Sequence, residues 1–166
     1  MLIAGSKYSY GDELALNVRF IDTTFRDGSQ SLWASGMRGG MIAAVAEVME
    51  RAGFDVIEVP VSGVAFKKFV RDLRENPWDM ARMVAAKMPD TVKSCMAFGG
   101  FHPFEAPPPR SIVELFFARL VETGALNRVQ LTCNTRDQSK RSFLRDIPLF
   151  RSLGLQIALA LSYTIS

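Results

Sequence analysis

The feature that most constrains the fold is a regular alternation of short strand-like runs with longer segments of helical periodicity. Five runs are rich in β-branched and apolar residues, and their starts lie about 28 to 38 residues apart: 17–24, 54–60, 92–98, 127–134 and 155–164. A helical segment follows each of the first four. This alternation is typical of βα units built around a parallel sheet, so the sequence predicts an α/β fold.

The predicted helices carry signals at their ends. The helix over Met37–Ala52 stops before Gly53, and Asn76-Pro77 predicts the start of another helix. Ser111, with a glutamate three residues on, predicts a capping box at a third. Met- and Phe-rich stripes along these helices are predicted to form the core. The stripe of the first helix comprises Met41, Val45, Val48, Met49 and Ala52.

Two architectures fit five parallel strands. One is an open doubly wound sheet, and the other is the first five or so strands of a closed TIM (β/α)8 barrel. The chain has 166 residues, enough for one sizeable core, whereas a complete barrel typically needs about 250. A sheet left open in this way has exposed edges, which predicts association with other chains.

Composition argues against nucleic acid and membrane as partners, and the cysteines indicate the cytoplasm as the compartment. The net charge is only +3, and no basic block with interleaved aromatic residues occurs, so nucleic-acid binding is not expected. No apolar run has the length of a membrane span, and no secretory signal is expected at the N-terminus. Cys95 and Cys133 are interpreted as reduced thiols, which indicates a cytoplasmic protein.

Polar residues crowd the end of the first predicted strand, where sites of parallel α/β folds lie. Asp27 is a hard oxygen donor suited to a divalent cation, and Arg26 can hold a carboxylate or a developing oxyanion. Gln30 offers both a donor and an acceptor. These residues suggest a site for metal-assisted enolate chemistry. The alternative from spacing alone is a surface ion pair between Arg26 and Asp27.

The stretch "DTTFRDGSQSLWASGMR" (22–38) resembles the opening motif of the pyruvate carboxyltransferase-type TIM-barrel family. That family includes the carboxyltransferase domains of pyruvate carboxylase and oxaloacetate decarboxylase, with isopropylmalate synthase and hydroxymethylglutaryl-CoA lyase as more distant relatives. Three later segments resemble family segments in the same order: "GFDVIEV" (53–59), "RENPWDMARMVAAKMPDT" (74–91) and "LSYT" (161–164). The resemblance spans 17–166, a partial barrel domain, and leaves 1–16 as an N-terminal extension.

The resemblance implies roles for individual residues. Asp27 matches a metal-ligand aspartate, Arg26 the arginine that stabilises an enolate, and Gln30 a glutamine that contacts substrate. Glu58 matches a strand-two glutamate near the site, and a carboxylate satisfied by a neighbouring cation is an equal alternative. The implied cofactors are a divalent metal (Mn, Zn or Mg) and biotin on a carrier domain. The implied substrate is a 2-oxo acid such as pyruvate or oxaloacetate.

The sequence also departs from the family pattern. Phe98 stands where carboxyltransferases have an arginine for the substrate carboxylate, and Asn134, expected to contact substrate, replaces a usual aspartate. His102, the single histidine, lies in a proline-bounded loop and is not expected to be a ligand. The family's other metal ligands, a His-x-His pair and a carboxylated lysine, are expected on later strands. This chain is therefore expected to hold about half of the site.

The leading hypothesis is the N-terminal part of a metal-dependent carboxyltransferase-like enzyme. An aldol-type acyl-CoA synthase or lyase of the same superfamily is an alternative, which Gly28 favours slightly. A hypothesis of another class is a non-catalytic half-barrel that serves as an assembly or interaction protein. In either class we expect a homo-oligomer or a partner chain that completes the barrel.

Overall fold

Five parallel strands form one sheet in the computed structural model, which describes residues 18–98, 109–133 and 136–161. The strands are β1 (Ile21–Asp22), β2 (Val56–Glu58), β3 (Val92–Phe98), β4 (Arg128–Cys133) and β5 (Gln156–Leu161). Each strand pairs with the next one in sequence, so the order across the sheet is β1-β2-β3-β4-β5.

This strand order decides between the two predicted architectures. A doubly wound sheet reverses its strand order at a switch point, where connections begin to run in the opposite direction. Here the order never reverses, so successive right-handed crossovers step in one direction and place their helices on the same face. The arrangement is that of consecutive strands in a TIM barrel, and the predicted α/β fold of parallel βα units is confirmed.

Six α-helices, two of them extended by π-helical turns, form the second layer of the described chain. They are α1 (Ser29–Trp33), α2 (Gly39–Arg51), α3 (Gly63–Lys68), α4 (Pro77–Lys87), α5 (Arg110–Glu122) and α6 (Arg136–Ser152), and the π-helical turns are Thr24–Gly28 before α1 and Phe69–Leu73 after α3. Gly53 follows α2 with φ of +77°, a conformation in which a side chain would be strained. At the start of α4, the Asn76 side chain accepts a hydrogen bond from the Trp78 N–H at 3.0 Å, which confirms the predicted cap.

The core lies between the sheet and the helices. It includes alternate residues in the central strands, or directly after one of them, that are fully or almost fully buried: Ile57, Val59, Cys95, Ala97, Val129 and Leu131. A series of aromatic contacts joins four consecutive helical segments, because Phe66 meets Trp78 and Phe116, and Phe117 meets Phe150 at 4.7 Å between ring centroids. These mostly edge-to-face pairs each stabilise a helix–helix contact beyond the area that they bury.

One predicted core stripe is largely wrong. Met41, Val45 and Val48 of α2 are 43%, 43% and 58% exposed, whereas Ile42 and Ala46 are buried. A helix turns about 100° per residue, so a small rotation exchanges one apolar face for another. The three exposed residues form a flank of α2, named here the α2 flank, that no described element covers.

Two local predictions at element ends also need correction. The sequence predicts the first strand over 17–24, but β1 ends at Asp22 and Thr24 already begins the π-helical turn. The capping box at Ser111 is wrong, because α5 begins at Arg110 after Pro109 and has no side-chain cap. Proline fixes φ near the helical value, which lets the helix begin before the serine.

Cys95 is a free thiol in β3 and is completely buried, and burial raises its pKa. It lies within the strand and not at its end. The Cys133 side chain lies outside the described part of the structure. None of the helices within the described ranges is long and apolar enough to cross a bilayer.

Acidic side chains join neighbouring βα units at the outside of the fold. The Glu50 carboxylate of α2 accepts hydrogen bonds from the Asp90 N–H at 2.7 Å and the Thr91 N–H at 3.2 Å, just before β3. Burial raises the pKa of Glu50, but the hydrogen bonds from Thr91 and Asp90 and the charge of Lys93 outweigh that effect, and the pKa lies below its ordinary value. The carboxylate therefore stabilises the folded chain in its ionised form.

We expect Glu50→Gln to lower the free energy of unfolding at pH 7 by about 1 kcal/mol, because charge-assisted hydrogen bonds to main-chain N–H groups are weakened. Because the pKa of Glu50 is lower in the folded chain than its ordinary value of 4.5, the carboxylate stabilises the folded chain fully at pH values above 4.5. This stabilisation is lost as the pH falls through the pKa of the folded chain. The difference between variant and wild type should therefore shrink below pH 4.5 in urea unfolding. Glu114→Gln, an exposed glutamate of α5, is the control, and a difference independent of pH would contradict the argument.

Candidate functional site

The main chain turns sharply at the end of β1 and sets the direction of the residues that follow. The Asp22 carboxylate accepts hydrogen bonds from the N–H and hydroxyl of Thr24 at 3.0 and 2.9 Å, which ends the strand. The Thr23 carbonyl then accepts three successive N–H groups, from Arg26, Asp27 and Gly28. Phe25 is buried in the core and anchors the turn. Arg26 and Asp27 are thereby held at the carboxyl end of the strand.

An ion pair links the ends of β1 and β2. The Arg26 Nε and Nη2 atoms donate to the Glu58 Oε2 atom at 2.8 and 2.6 Å, and the Arg26 Nη1 atom donates to the Asp27 Oδ1 atom at 2.9 Å. The side chain of Glu58 is 3% exposed, that of Arg26 15% and that of Asp27 53%. Asp22 pairs in register with the residue before Glu58, so the two strand ends are neighbours. The arrangement is a buried pair with one carboxylate facing solvent.

A guanidinium group has five N–H donors, and Glu58 and Asp27 use three of those of Arg26, so two have no hydrogen-bond partner among the described residues. Held by two carboxylates, the group keeps its position without a ligand. Such a preorganised donor can stabilise a developing negative charge on an oxygen atom.

A pocket opens beside this ion pair. Its lining combines Arg26 and Gln30 with three serine hydroxyls and an apolar wall, and the serines are Ser29, Ser35 and Ser62. The cavity volume is about 40 Å³, several times the roughly 10–15 Å³ that one water molecule needs. The lining of the pocket thus combines residues that can donate hydrogen bonds with apolar residues.

The structure brings together most of the residues that the sequence analysis selected. Arg26, Asp27 and Glu58 are in contact, and Gln30 lines the same pocket as Arg26. The contacts of Glu58 match the alternative role, a carboxylate satisfied by a neighbouring cation, because Arg26 donates two hydrogen bonds to it. A contact between Glu58 and substrate stays a prediction. Asn134 and His102 lie outside the described residues. Phe98 ends β3, and its side chain is likewise outside the described part.

Asp27 has the chemistry of a metal ligand, since its carboxylate is a hard oxygen donor and is half exposed. Among the described residues, no group of three or more histidine, cysteine, aspartate or glutamate residues could hold a metal ion. Further ligands would have to come from outside these residues.

Sequence reasoning missed the three serines of the pocket. Ser29 and Ser35 lie within the quoted opening motif, but serines at a turn normally indicate only local hydrogen bonding. The available signal was that the end of the second strand, "VPVSG", brings Ser62 to the same rim of the sheet. Only the fold shows that the three hydroxyls line one cavity.

A second buried charge lies at the opposite end of the sheet. The Lys93 Nζ atom donates to the carbonyl oxygens of Met88 and Thr91 at 2.7 and 2.9 Å. Burial lowers the pKa of Lys93, whereas Glu50 and Asp90 raise it. Because this ammonium group satisfies main-chain carbonyls at the end of α4 and the start of β3, we assign it a structural role.

Curated relatives of the chain are components of carboxylases. A pyruvate carboxylase component of Methanocaldococcus jannaschii is 31% identical over 161 residues, which are 90% of this chain and 26% of that protein. The 2-oxoglutarate carboxylase large subunit of Hydrogenobacter thermophilus is 27% identical over 146 residues, 87% of this chain and 22% of that protein. The chain thus spans about a quarter of the length of these relatives. No protein-family model matches it.

Solved structures show the same fold. The carboxyl transferase domain of Rhizobium etli pyruvate carboxylase with pyruvate and biocytin aligns with a TM-score of 0.73 and 23% identity, over 89% of this chain and 25% of that chain. The complete multifunctional pyruvate carboxylase from the same organism aligns with a TM-score of 0.74 and 24% identity, over 89% of this chain and 14% of that chain. Over most of its length, this chain is therefore similar to part of carboxylase components and shares the fold of the carboxyl transferase domain of pyruvate carboxylase, in agreement with the resemblance of its opening motif.

Proposed function

We propose that this chain is part of a metal-dependent carboxyltransferase that forms or uses the enolate of a 2-oxo acid of the pyruvate or oxaloacetate type. The observation that carries the proposal is the guanidinium of Arg26, held between Glu58 and Asp27 at the rim of the sheet with two donors left over. An enolate forms when a proton, or the carboxyl group of oxaloacetate, leaves the carbon next to the keto group. Its negative charge then rests on the keto oxygen.

Arg26 is proposed to receive that oxygen. The two remaining N–H groups can donate charge-assisted hydrogen bonds, which are roughly twice as strong as neutral ones. Because the guanidinium is largely buried and already fixed, little reorganisation is needed as the charge develops. Glu58 is a positioning residue in this scheme, since it acts on the reaction through Arg26.

Asp27 is proposed as one ligand of a divalent cation, either Mn, Zn or Mg. When bound, such a cation supplies Lewis-acid stabilisation of the negative charge on the keto oxygen, worth several kcal/mol at sites of this kind. Gln30 is proposed to contact the substrate from the pocket wall. Asn134 is proposed as a second substrate contact, on the grounds of its place in the family pattern.

The names of the relatives support the choice of partners. Two of them are components of pyruvate carboxylases, and one similar solved domain contains pyruvate and biocytin. By analogy, we propose a small 2-oxo acid as substrate and carboxybiotin on a carrier domain as the partner in carboxyl transfer. A free buried thiol at Cys95 is in keeping with the cytoplasm as the proposed compartment.

We expect Asp27→Asn to lower the rate of biotin-dependent decarboxylation of oxaloacetate by roughly 100-fold or more, because a metal ligand loses its charge. The assay follows pyruvate release at varied Mn²⁺ concentration. Asp79→Asn, an exposed aspartate of α4, provides the matched control. A rate and metal dependence equal to those of wild type would remove Asp27 from the site.

The same assay separates the carboxyltransferase from the aldol-type alternative. Condensation or cleavage that depends on an acyl-CoA, with no effect of biotin, would support a synthase or lyase. Biotin-dependent exchange of the carboxyl group, with no need for acyl-CoA, would support the carboxyltransferase.

We expect Glu58→Gln to lower the free energy of unfolding by about 3 kcal/mol, because it leaves the largely buried Arg26 without its partner. The double variant Arg26→Met with Glu58→Gln should regain part of this loss, as measured by urea unfolding. Asp72→Asn breaks the exposed ion pair with Lys68 and should cost less than about 1 kcal/mol. The single variant Arg26→Met completes the comparison. If the losses of unfolding free energy in Arg26→Met and Glu58→Gln add up to the loss in the double variant, the ion pair contributes no coupling and the scheme for Arg26 is wrong.

The α2 flank favours a second candidate, a non-catalytic assembly role. Three adjacent apolar residues there are exposed, and within the described chain β1 and β5 pair on only one side. Uncovered apolar faces and strand edges mark surfaces that associate. We propose that a second copy or a partner chain covers this side, which is compatible with either function.

We expect Val48→Lys to raise the dissociation constant for association at least about tenfold, because a buried lysine without a partner is costly at an interface. Sedimentation velocity over a range of concentrations measures this constant. Leu115→Lys on α5 is the matched control, since both wild-type side chains are 58% exposed. A monomer at all concentrations would contradict the assembly role.

A further inference from the structure

Three serine hydroxyls in the pocket have protons without an acceptor in the described part of the chain. The Ser29 hydroxyl oxygen accepts a hydrogen bond from the Met37 N–H at 3.3 Å, and the Ser62 hydroxyl oxygen accepts one from the Ala65 N–H at 3.5 Å. These bonds use oxygen lone pairs, so both hydroxyl protons are still available for donation. Both serines are buried, and Ser35 is half-buried. A buried donor that finds no acceptor is unfavourable, so these protons are suited to an acceptor that enters the pocket.

The backbone at Ser35, one of the lining residues, adopts an unfavourable conformation. Ala34 and Ser35 have φ values of 49° and 61°, in the left-handed region that residues with a side chain rarely adopt. The turn is closed by hydrogen bonds from the Ser35 N–H to the Ser29 carbonyl and from the Gly36 N–H to the Trp33 carbonyl, both at 2.8 Å. Two strained residues in succession, beside a cavity, indicate a functional constraint.

The charges around the pocket limit what the hydroxyls can bind. Arg26 is the one charged residue among the described residues that line it, and it already faces Glu58 and Asp27. The pocket therefore offers hydrogen bonds but no unpaired cation. A single carboxylate, an acceptor on both oxygens, fits hydroxyl donors, while a second carboxylate inside the same pocket would find no opposite charge.

The remaining wall limits the size of the ligand. It is formed by Pro60, Ala65, Phe69 and Met96, and the cavity volume is about 40 Å³. A short apolar group such as a methyl can lie against these side chains, whereas a longer chain with a polar end would bury that end without a partner. The family's arginine for the substrate carboxylate is replaced by Phe98 in this sequence, so a different set of donors is required for that role.

We propose that Ser29, Ser35 and Ser62 form the subsite for the carboxylate next to the keto group of a short 2-oxo acid, in place of an arginine. The proposal rests on the proposed function, in which Arg26 faces the keto oxygen of the same molecule. It assigns specificity to this subsite. Pyruvate is accepted, and so is oxaloacetate, whose second carboxyl group is the one that is transferred, whereas 2-oxoglutarate, which keeps a second carboxylate on a longer chain, is disfavoured.

The test is binding of sodium pyruvate to the purified protein by isothermal titration calorimetry, with pyruvamide and 2-oxoglutarate as comparison ligands. Ser35→Ala is the main variant, because Ala34 already adopts the same backbone region and Ser35 caps no helix. We expect Ser35→Ala to weaken pyruvate binding about tenfold, from the loss of a hydrogen bond to a charged group, and to weaken pyruvamide binding less, because the amide oxygen is a neutral acceptor. Wild type should bind pyruvate more tightly than 2-oxoglutarate.

Two further variants complete the design. Ser62→Ala should act in the same direction, and thermal unfolding shows how much of its effect comes from the lost hydrogen bond to Ala65. Ser152→Ala removes a hydroxyl bonded to the Leu149 carbonyl, far along the chain at the end of α6, and should bind pyruvate as wild type does.

The outcomes separate this proposal from the proposed function. Equal effects of Ser35→Ala on pyruvate and pyruvamide, an unchanged affinity, or no pyruvate binding by wild type would each overturn the subsite. Oxaloacetate decarboxylation with an unaltered KM in Ser35→Ala would overturn the subsite alone. Absence of any 2-oxo acid activity in wild type, together with selective loss of pyruvate binding in Ser35→Ala, would overturn the function and retain the subsite.

Discussion

Every strand of the sheet pairs in parallel with the strand that follows it in the sequence, and the rest of the structure depends on this constraint. Parallel pairing requires a crossover between neighbours, and right-handed crossovers that always step the same way place their helices on one face. The aromatic contacts among α3, α4, α5 and α6 then follow from the helices lying side by side. The same constraint brings all the carboxyl ends of the strands to one rim, where the candidate site lies.

The buried pair of Arg26 and Glu58 shows how the rim becomes chemically specific. Two charges removed from water stabilise a fold only weakly at best, because desolvation offsets much of their attraction. The ion pair instead fixes the position of the Arg26 side chain. Glu58 accepts from two of its guanidinium N–H groups and Asp27 from a third, so the group that carries the remaining N–H donors is held in place. The neighbouring pocket is lined with hydroxyls, which can bind an anion without adding another charge.

Local chemistry predicted some elements well and others poorly. Asn76 caps α4 because its side chain competes only with water for the Trp78 N–H, and nothing in the tertiary structure opposes it. Ser111 does not cap α5, because Pro109 already fixes the start of that helix. The apolar residues of α2 were recognised, but the face that meets the sheet is decided by how the helix rests on its neighbours. Ile42 and Ala46 took the buried positions that Met41, Val45 and Val48 were expected to hold.

The sequence by itself determined the α/β class, the five strands and the residues Arg26, Asp27 and Gln30 at the end of the first, since periodicity and a long opening motif are local properties of the chain. The tertiary structure decided three things. Strand order excluded the doubly wound sheet, the register of β1 and β2 made Glu58 the partner of Arg26, and the packing of the segments after β1 and β2 placed three serines in the lining of one cavity. These three features depend on contacts between residues far apart in the sequence. Such contacts leave no periodic signal in the order of residues along the chain, so the sequence alone could not reveal them.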